Sequence, residues 1–287
     1  MDSPSFRERA FIGLQHLLPQ HLLSGLVRRV ATSRIGFLRG ALIRAFLRAY
    51  PVDLAEALDA EPRAYASFND FFTRRLRPGA RRPDPDPRVA LCPVDGSVSQ
   101  SGAIEGDSLL QAKGIRYTTA ALLGGDAALA APFAGGAFAT LYLAPHNYHR
   151  VHMPLAGTLV RARFVPGDLY SVNRATAAGV PGLFTRNERV ACLFDTEAGP
   201  MAVVLVGALF VGSMSLAWCG EVSGAGGRVR ELPVHDPIIA LERGAELGCF
   251  NMGSTVIVLF GPGGPRLVAS LQPGREVRFG ERLATLP

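Results

Sequence analysis

The sequence predicts an α+β protein: an N-terminal amphipathic helical region followed by a mainly antiparallel β domain. Three observations carry this prediction. Between residues 5 and 50, Leu14, Leu17, Leu18, Leu22, Leu23, Leu26 and Val27 recur at helical spacing. From Val89 onward, short runs rich in Val, Leu, Phe and Tyr alternate with Gly, Pro and Asp turns, the texture of many short strands. Between the two regions, PGARRPDPDP (residues 78–87) places four prolines in ten residues, which forbids helix and strand interior alike.

Each segment can be justified in order. Residues 5–50 should form two or three helices, interrupted at Pro19. Within 34–50, Arg34, Arg44 and Arg48 share one arc of the helical wheel, and Leu38, Leu42, Phe46 and Tyr50 lie opposite; Arg39 breaks the pattern. Such a helix either lies in a lipid interface or covers a core with its arginines in water, and pattern alone leaves both open. Residues 53–76 read as a further helical region with Phe68, Phe71 and Phe72 on its apolar side, and residues 118–123 as a short helix within the β domain. The uncharged windows 127–149, 198–220 and 247–265 are long enough to span a bilayer, but their glycines, prolines and β-branched residues suit buried strands joined by turns.

Charge is unevenly placed. Residues 1–50 hold eight arginines against two acids, whereas the other 237 residues hold 22 basic and 22 acidic side chains, so the whole formal charge of +6 lies in the first sixth of the chain. A nucleic-acid binder is usually basic over a broad face, so this distribution argues against one and for a short basic element on a neutral body. With 287 residues and 48% apolar content, the chain can bury a sizeable core, one large domain plus a small one. Cys92, Cys192, Cys219 and Cys249 form no CxxC pair, so zinc-ribbon and thioredoxin-type readings fail and free thiols are expected. The N-terminus lacks the pattern of a secretory signal.

Nucleotide-binding loops of the GxGxxG or GxxxxGK[ST] type are absent from the sequence. Three of the six histidines, His146, His149 and His152, fall within seven residues. Metal binding would need them on one helical face, but Pro145, Pro154 and the strand-like flanks oppose that, so acid/base work by at least one imidazole is the stronger reading and no metal is expected. Asp95 in PVDGSV and Ser254 in MGST are further candidates, although each alone reads as a turn residue. An Asp/His/Ser site in a β domain, with a basic amphipathic N-terminus, is as far as these residues lead by themselves.

Taken together, SFNDFFTRRLRP (67–78), PVDGSVS (93–99), LLQAKG (109–114), YHRVHMP (148–154), VPGDLYSVN (165–173), the run from Leu183 to Ala208 and MGSTVIVLF (252–260) resemble the bacterial proenzyme type of the phosphatidylserine decarboxylase family over nearly the whole chain. The family's Leu-Gly-Ser-Thr is here Met252-Gly253-Ser254-Thr255, which leaves the Gly-Ser pair intact.

The resemblance implies self-cleavage at Gly253–Ser254 into chains 1–253 and 254–287, with Ser254 as nucleophile, His152 as its base and Asp95 orienting that base. Ser254 would then become a covalent pyruvoyl group, the cofactor, whose carbonyl takes up the electrons left when CO2 departs. His149 would reprotonate the resulting carbon. Lys113 would meet the substrate phosphate, and His146 is given no role. Phosphatidylserine as substrate turns residues 1–64 into a membrane-association region and 65–287 into the catalytic domain, attached peripherally to an anionic membrane on its cytoplasmic face. A homo-oligomer is a further expectation. Two rivals stay open: a non-catalytic lipid-binding relative, and a decarboxylase of a different serine-headgroup lipid.

Overall fold

The leucine-rich start of the chain forms three helices, α1 (Phe6–Leu17), α2 (Gln20–Ala31) and α3 (Gly36–Ala49). The computed structural model describes residues 5–210, 213–224, 227–234, 238–252 and 254–287. Pro19 separates the first two helices, as its missing N–H requires. The polarity of α1 and α2 is inverted relative to an ordinary surface helix. Gln15, Gln20 and Ser24 are buried, whereas Phe11, Leu14, Leu17, Leu22, Leu26 and Val30 are exposed. The buried polar groups are satisfied by the body of the protein. Gln15 accepts from the Ser171 N–H (2.7 Å), Gln20 from the Leu169 N–H (2.6 Å) and Ser24 from the Phe210 N–H (3.1 Å).

Helix α3 follows the other pattern. Ile43 is buried, and Leu42 and Phe46 pack with Tyr65, Phe68, Phe71 and Phe72 in one apolar cluster. The core-covering arrangement therefore holds for this face. Arg34 lies before the first turn of α3, so only Arg44 and Arg48 of the expected arc are helical, both exposed.

The continuous helical region expected over 53–76 is not formed. It contains a 3₁₀ turn at Leu54–Glu56 and the five-residue helix α4 (Phe68–Phe72). Pro62 interrupts any longer ladder. Ser67 caps α4 by accepting from the Asp70 N–H at 3.0 Å. The short helix expected at 118–123 is present as Thr119–Leu122, capped by Thr118.

The β domain is built on β1 (Gly96–Ala103), β2 (Ala137–Leu143), β3 (Arg150–His152), β4 (Gly157–Val165), β5 (Arg189–Thr196), β6 (Gly199–Val206), β7 (Met214–Leu216), β8 (Glu246–Phe250) and β9 (Ser254–Phe260). The main sheet runs β4–β5–β6–β9–β2–β1, all neighbours antiparallel, with short strands added at its edges. A smaller antiparallel sheet contains β7, β8 and β3 in that order.

Strand β9 is central and buried throughout, which is why STVIVLF reads as an unbroken apolar run. Its alternate residues divide between two cores. Val256, Val258 and Phe260 face the layer that contains Val151 of β3 and Phe250 of β8. Ile257 and Leu259 face the layer of short helices, with Ala177, Leu183 and Phe184. Gly96 is required where β1 begins: a Cβ there would stand 2.3 Å from the Tyr142 carbonyl oxygen. Asp95 is thereby held at the mouth of the β1–β2 pair.

Candidate active site

The chain passes from β8 in the small sheet to β9 in the main sheet through residues 251–253, so the Met-Gly-Ser-Thr segment bridges the two layers. Asn251 is fixed on several sides. Its side chain donates to Ser213 Oγ (2.8 Å) and Ser215 Oγ (3.1 Å) and accepts from Asn69 Nδ2 of α4 (3.1 Å). Met252 follows with φ +105°, a region that a residue with a Cβ rarely adopts. Such a backbone stores of order 1–3 kcal/mol and persists only where its surroundings hold it. Here Asn251 holds it on one side, while the Met252 side chain packs against the helical cluster and the main-sheet core. Gly253 lies outside the described residues.

Ser254 is the first residue of β9, opposite Leu143 of β2. Its position in the alternation puts its side chain on the Val256 and Val258 face. It is 1% exposed, and its Oγ has no hydrogen-bond partner among the described residues.

The histidines stand on and beside β3, which pairs with β8. Both candidates have Nδ1 against a carbonyl, which only accepts, so Nδ1 carries the proton and Nε2 the lone pair. For His152 the carbonyl is that of Gly244 (2.9 Å), and Nε2 accepts from the Tyr148 hydroxyl (3.0 Å). For His149 it is that of Asn147 (2.8 Å), and Nε2 has no partner among the described residues. His149 is fully buried and packs against Phe72 of α4, ring centroids 4.0 Å apart and planes tilted by 39°. Burial first, then the nearby Arg74 cation, pushes its pKa down to about 3. Burial also lowers that of His152.

Asp95 does not take the Nδ1 proton of His152, the contact expected of an Asp–His pair. Its carboxylate instead forms a two-pronged ion pair with Arg81 and accepts from the Phe279 N–H at 2.8 Å. The link to His152 runs through Phe279, whose ring stacks on the imidazole at 3.7 Å with planes 13° apart. Asp95 thus fixes the residue that fixes the ring. Arg81, Phe279, Tyr148 and Gly244 were not identified as site residues from the sequence. Only Tyr148 lies in the histidine segment, and the others are remote in sequence.

Lys113 occupies the tight turn after Ser108–Ala112 and lines a cavity of about 210 Å³ with Ser97, Ser99, Tyr142 and Arg174. That cavity contains none of the four candidate catalytic residues. His146 lines a different cavity, of about 280 Å³, with Arg74, Arg81, Asp95 and Tyr148. A third hollow, of about 340 Å³, lies between the helices and is lined only by apolar residues, among them Val27, Leu42, Phe46, Phe68 and Met252. It reaches the residue next to the Gly253–Ser254 pair.

The fold and site define a class: an antiparallel β protein with a buried serine that has no hydrogen-bond partner among the described residues, behind a strained turn, with two neutral histidines on and next to β3 and a helical cap. Comparison with known proteins gives the class its family. The family model described as Phosphatidylserine decarboxylase matches residues 68–285, and one described as PSD matches residues 10–51. The chain is 53% identical over 287 residues to the phosphatidylserine decarboxylase proenzyme of Bordetella pertussis, covering 97% of this chain and 95% of that one. It is 54% identical over 283 residues to that of Pseudomonas paraeruginosa, covering 98% of each. With the proenzyme of Azotobacter vinelandii it shares 51% over 280 residues, covering 96% of this chain and 98% of that one. The chain belongs to the phosphatidylserine decarboxylase family.

Proposed function

We propose that this chain is a carboxy-lyase that converts phosphatidylserine to phosphatidylethanolamine and CO2 at a membrane surface, after cutting itself between Gly253 and Ser254. Membership of the family carries the reaction. The strained turn before a buried, unpartnered Ser254 Oγ supports the self-cleavage.

In the proposed processing step, Ser254 Oγ attacks the Gly253 carbonyl, and His152 takes the hydroxyl proton. A hydroxyl is a weak nucleophile without such a base. The lone pair of His152 Nε2 suits the task, and Tyr148 must yield its place on that nitrogen or relay the proton. Asp95 acts through Phe279 by holding the ring flat. The N–C bond of Gly253–Ser254 is exchanged for an ester and a free amine; loss of the Cα proton of residue 254 expels the Gly253 carboxylate, and water hydrolyses the resulting dehydroalanine, releasing ammonia and leaving the pyruvoyl carbonyl at position 254. Relief of the Met252 backbone favours this direction.

The residues fit a pyruvoyl group at position 254: the Ser254 Oγ has no hydrogen-bond partner among the described residues, so it is free to attack and then to leave with the Gly253 carboxylate, and the carbon it leaves would become the pyruvoyl methyl. When formed, that group supplies a carbonyl able to accept the electron pair left by departing CO2. His149 Nε2, which carries a lone pair, would take a proton from the substrate ammonium and return it to the reacting carbon. Its Nε2 is open to an incoming group without breaking an existing bond, unlike that of His152. Lys113 lines a cavity apart from the four candidate catalytic residues, and the proposed reaction does not draw on it.

The helices support peripheral attachment at the cytoplasmic face of an anionic membrane. No helix among the described residues is long and apolar enough to cross a bilayer. Of the fifteen exposed large apolar side chains among the described residues, ten lie between Phe6 and Tyr50, the segment that also carries the excess arginines. Exposed leucines and arginines on one element suit the boundary of an anionic bilayer. Residues 1–64 would form this attachment region, 65–287 the catalytic domain, and copies would assemble as a homo-oligomer.

Denaturing mass spectrometry tests the reading. The active protein should appear as chains 1–253 and 254–287, the smaller one blocked by pyruvoyl, and Ser254→Ala should stay intact at 30.5 kDa. Cleavage at the same bond in Ser254→Ala would disprove the role of the serine. An intact, inactive wild-type chain would favour a lipid-binding relative. Activity on vesicles of another serine-headgroup lipid but not on phosphatidylserine would favour the other rival.

A further inference from the structure

Arg74 lies over the Phe71 ring and carries unspent hydrogen-bond donors beside the site. It is 5% exposed and lines the cavity of about 280 Å³ that also holds Asp95, His146 and Asn147. Its Nη2 donates to the carbonyls of His146 (2.9 Å) and Asn147 (3.4 Å), but Nε and Nη1 are buried with no partner among the described residues. A guanidinium is always ionised and carries five N–H donors in a planar fork, so burial with donors unused is unfavourable unless a ligand completes it. The carboxylates around the cavity do not complete it. Asp95 and Glu56 pair with Arg81, Glu56 also with Arg278, Asp53 accepts from the Ala55 N–H, and Glu276 is exposed. Arg74 follows Phe72, which packs against His149, by two residues, and its charge is felt at that imidazole.

We infer that Arg74 binds the phosphodiester anion of the lipid headgroup, an assignment that rests on the proposed substrate class. Phosphatidylserine offers two anions, the phosphodiester and the carboxylate. Pairing the guanidinium with the carboxylate would stabilise the ground state against a transition state in which that charge leaves as CO2, which slows the reaction. The phosphodiester keeps its charge throughout and lies one oxygen and one methylene from the reacting carbon. Its binding group must therefore stand beside the residue that reprotonates that carbon, as Arg74 stands beside His149. Nε and Nη1 lie on different edges of the guanidinium, and each leaves an N–H donor for a phosphate oxygen.

The product retains the phosphodiester and lacks the carboxylate, and this separates the two assignments. Short-chain phosphatidylethanolamine is titrated into the processed enzyme by calorimetry, and KM is measured with short-chain phosphatidylserine. Arg74→Gln should self-cleave, raise KM roughly 10- to 100-fold with a smaller change in kcat, and weaken product binding by a similar factor. Arg74→Lys, which keeps the charge without the fork, should recover part of both. A raised KM with unchanged product binding would assign Arg74 to the carboxylate and overturn the inference. Unchanged values for both would reduce Arg74 to a prop for the 146–147 turn. Should Arg74→Gln fail to fold, the wild type decides: the neutral phosphate methyl ester of the same short-chain product should bind roughly 10- to 100-fold more weakly, and equal binding would overturn the inference. These binding measurements stand apart from turnover. A wild type that binds the product but fails to decarboxylate phosphatidylserine would sink the proposed function and leave the anion assignment to be read from binding.

Discussion

His149 and His152 lie three residues apart, have the same tautomer and are both pushed towards neutrality by burial, yet their free nitrogens differ. The lone pair of His152 is engaged by Tyr148, and that of His149 is not. This difference underlies the proposed division of labour. His149→Ala should therefore still cleave at Gly253–Ser254 but lose decarboxylation by about 10²-fold or more, the usual contribution of a positioned acid. Gel analysis of the cleavage and CO2 release from phosphatidylserine vesicles check both halves. Failure to cleave would move His149 into the processing step. The sequence exposed both imidazoles as candidates because they cluster. It did not expose the Gly244 carbonyl or the Phe279 ring that orient His152, because residues 92 and 127 positions away in the chain meet it only after the sheets pack.

At the scale of elements, α1 and α2 bury glutamine and serine and present leucine outward. Periodicity revealed the helices but not which face turns inward, since an apolar stripe has the same period whether it meets a core or a lipid. In α3 the stripe of Ile43, Leu42 and Phe46 meets a core; in α2 Leu22, Leu26 and Val30 stay exposed. Replacing Leu22, Leu26 and Val30 together by Gln should weaken sedimentation with anionic vesicles at least tenfold, the loss expected when apolar contact with lipid goes. The thermal midpoint should change little, because these side chains are largely exposed. Neutralising Arg34, Arg44 and Arg48 should weaken the same binding more at low salt than at high salt, since exposed charges are screened. Vesicle binding unaltered in both variants would remove the membrane role of this region.

The pH dependence of stability belongs to the whole molecule, because it sums groups in different layers. His149, held near 3 when folded and 6.5 when free, contributes stability that is complete above about 6.5 and is lost as pH falls towards 3. His152 acts with the same sign. Glu188 opposes them. It is 3% exposed, and burial raises its carboxyl from 4.5 to about 7. Its contribution is complete below 4.5 and is lost as pH rises through 7. Between 4.5 and 6.5 Glu188 offsets part of the histidine slope, so stability should vary less steeply there than below 4.5, and above 6.5 it should decline as Glu188 ionises. Glu188→Gln should raise stability at pH 8 by roughly 1–3 kcal/mol and flatten the alkaline side. Denaturant unfolding of the uncleaved Ser254→Ala chain at pH 4, 5.5 and 8 provides the comparison, and no gain at pH 8 would show that Glu188 is accommodated as an anion.

The sequence by itself determined the α+β class, the helical start, the central β9 strand and the family, because these depend on periodicity, turn residues and short contiguous motifs. It also marked Ser254, the two histidines and Asp95 by residue type and neighbourhood. Tertiary structure decided what no contiguous pattern encodes. It replaced the helix expected over 53–76 by a short 3₁₀ turn and α4, and it turned the leucines of α2 outward. It gave Asp95 to Arg81 and Phe279 rather than directly to His152. It also buried Arg74 with two donors unspent. Each of these depends on which distant groups share a low-dielectric space, and burial there sets the value of a charge or a hydrogen bond.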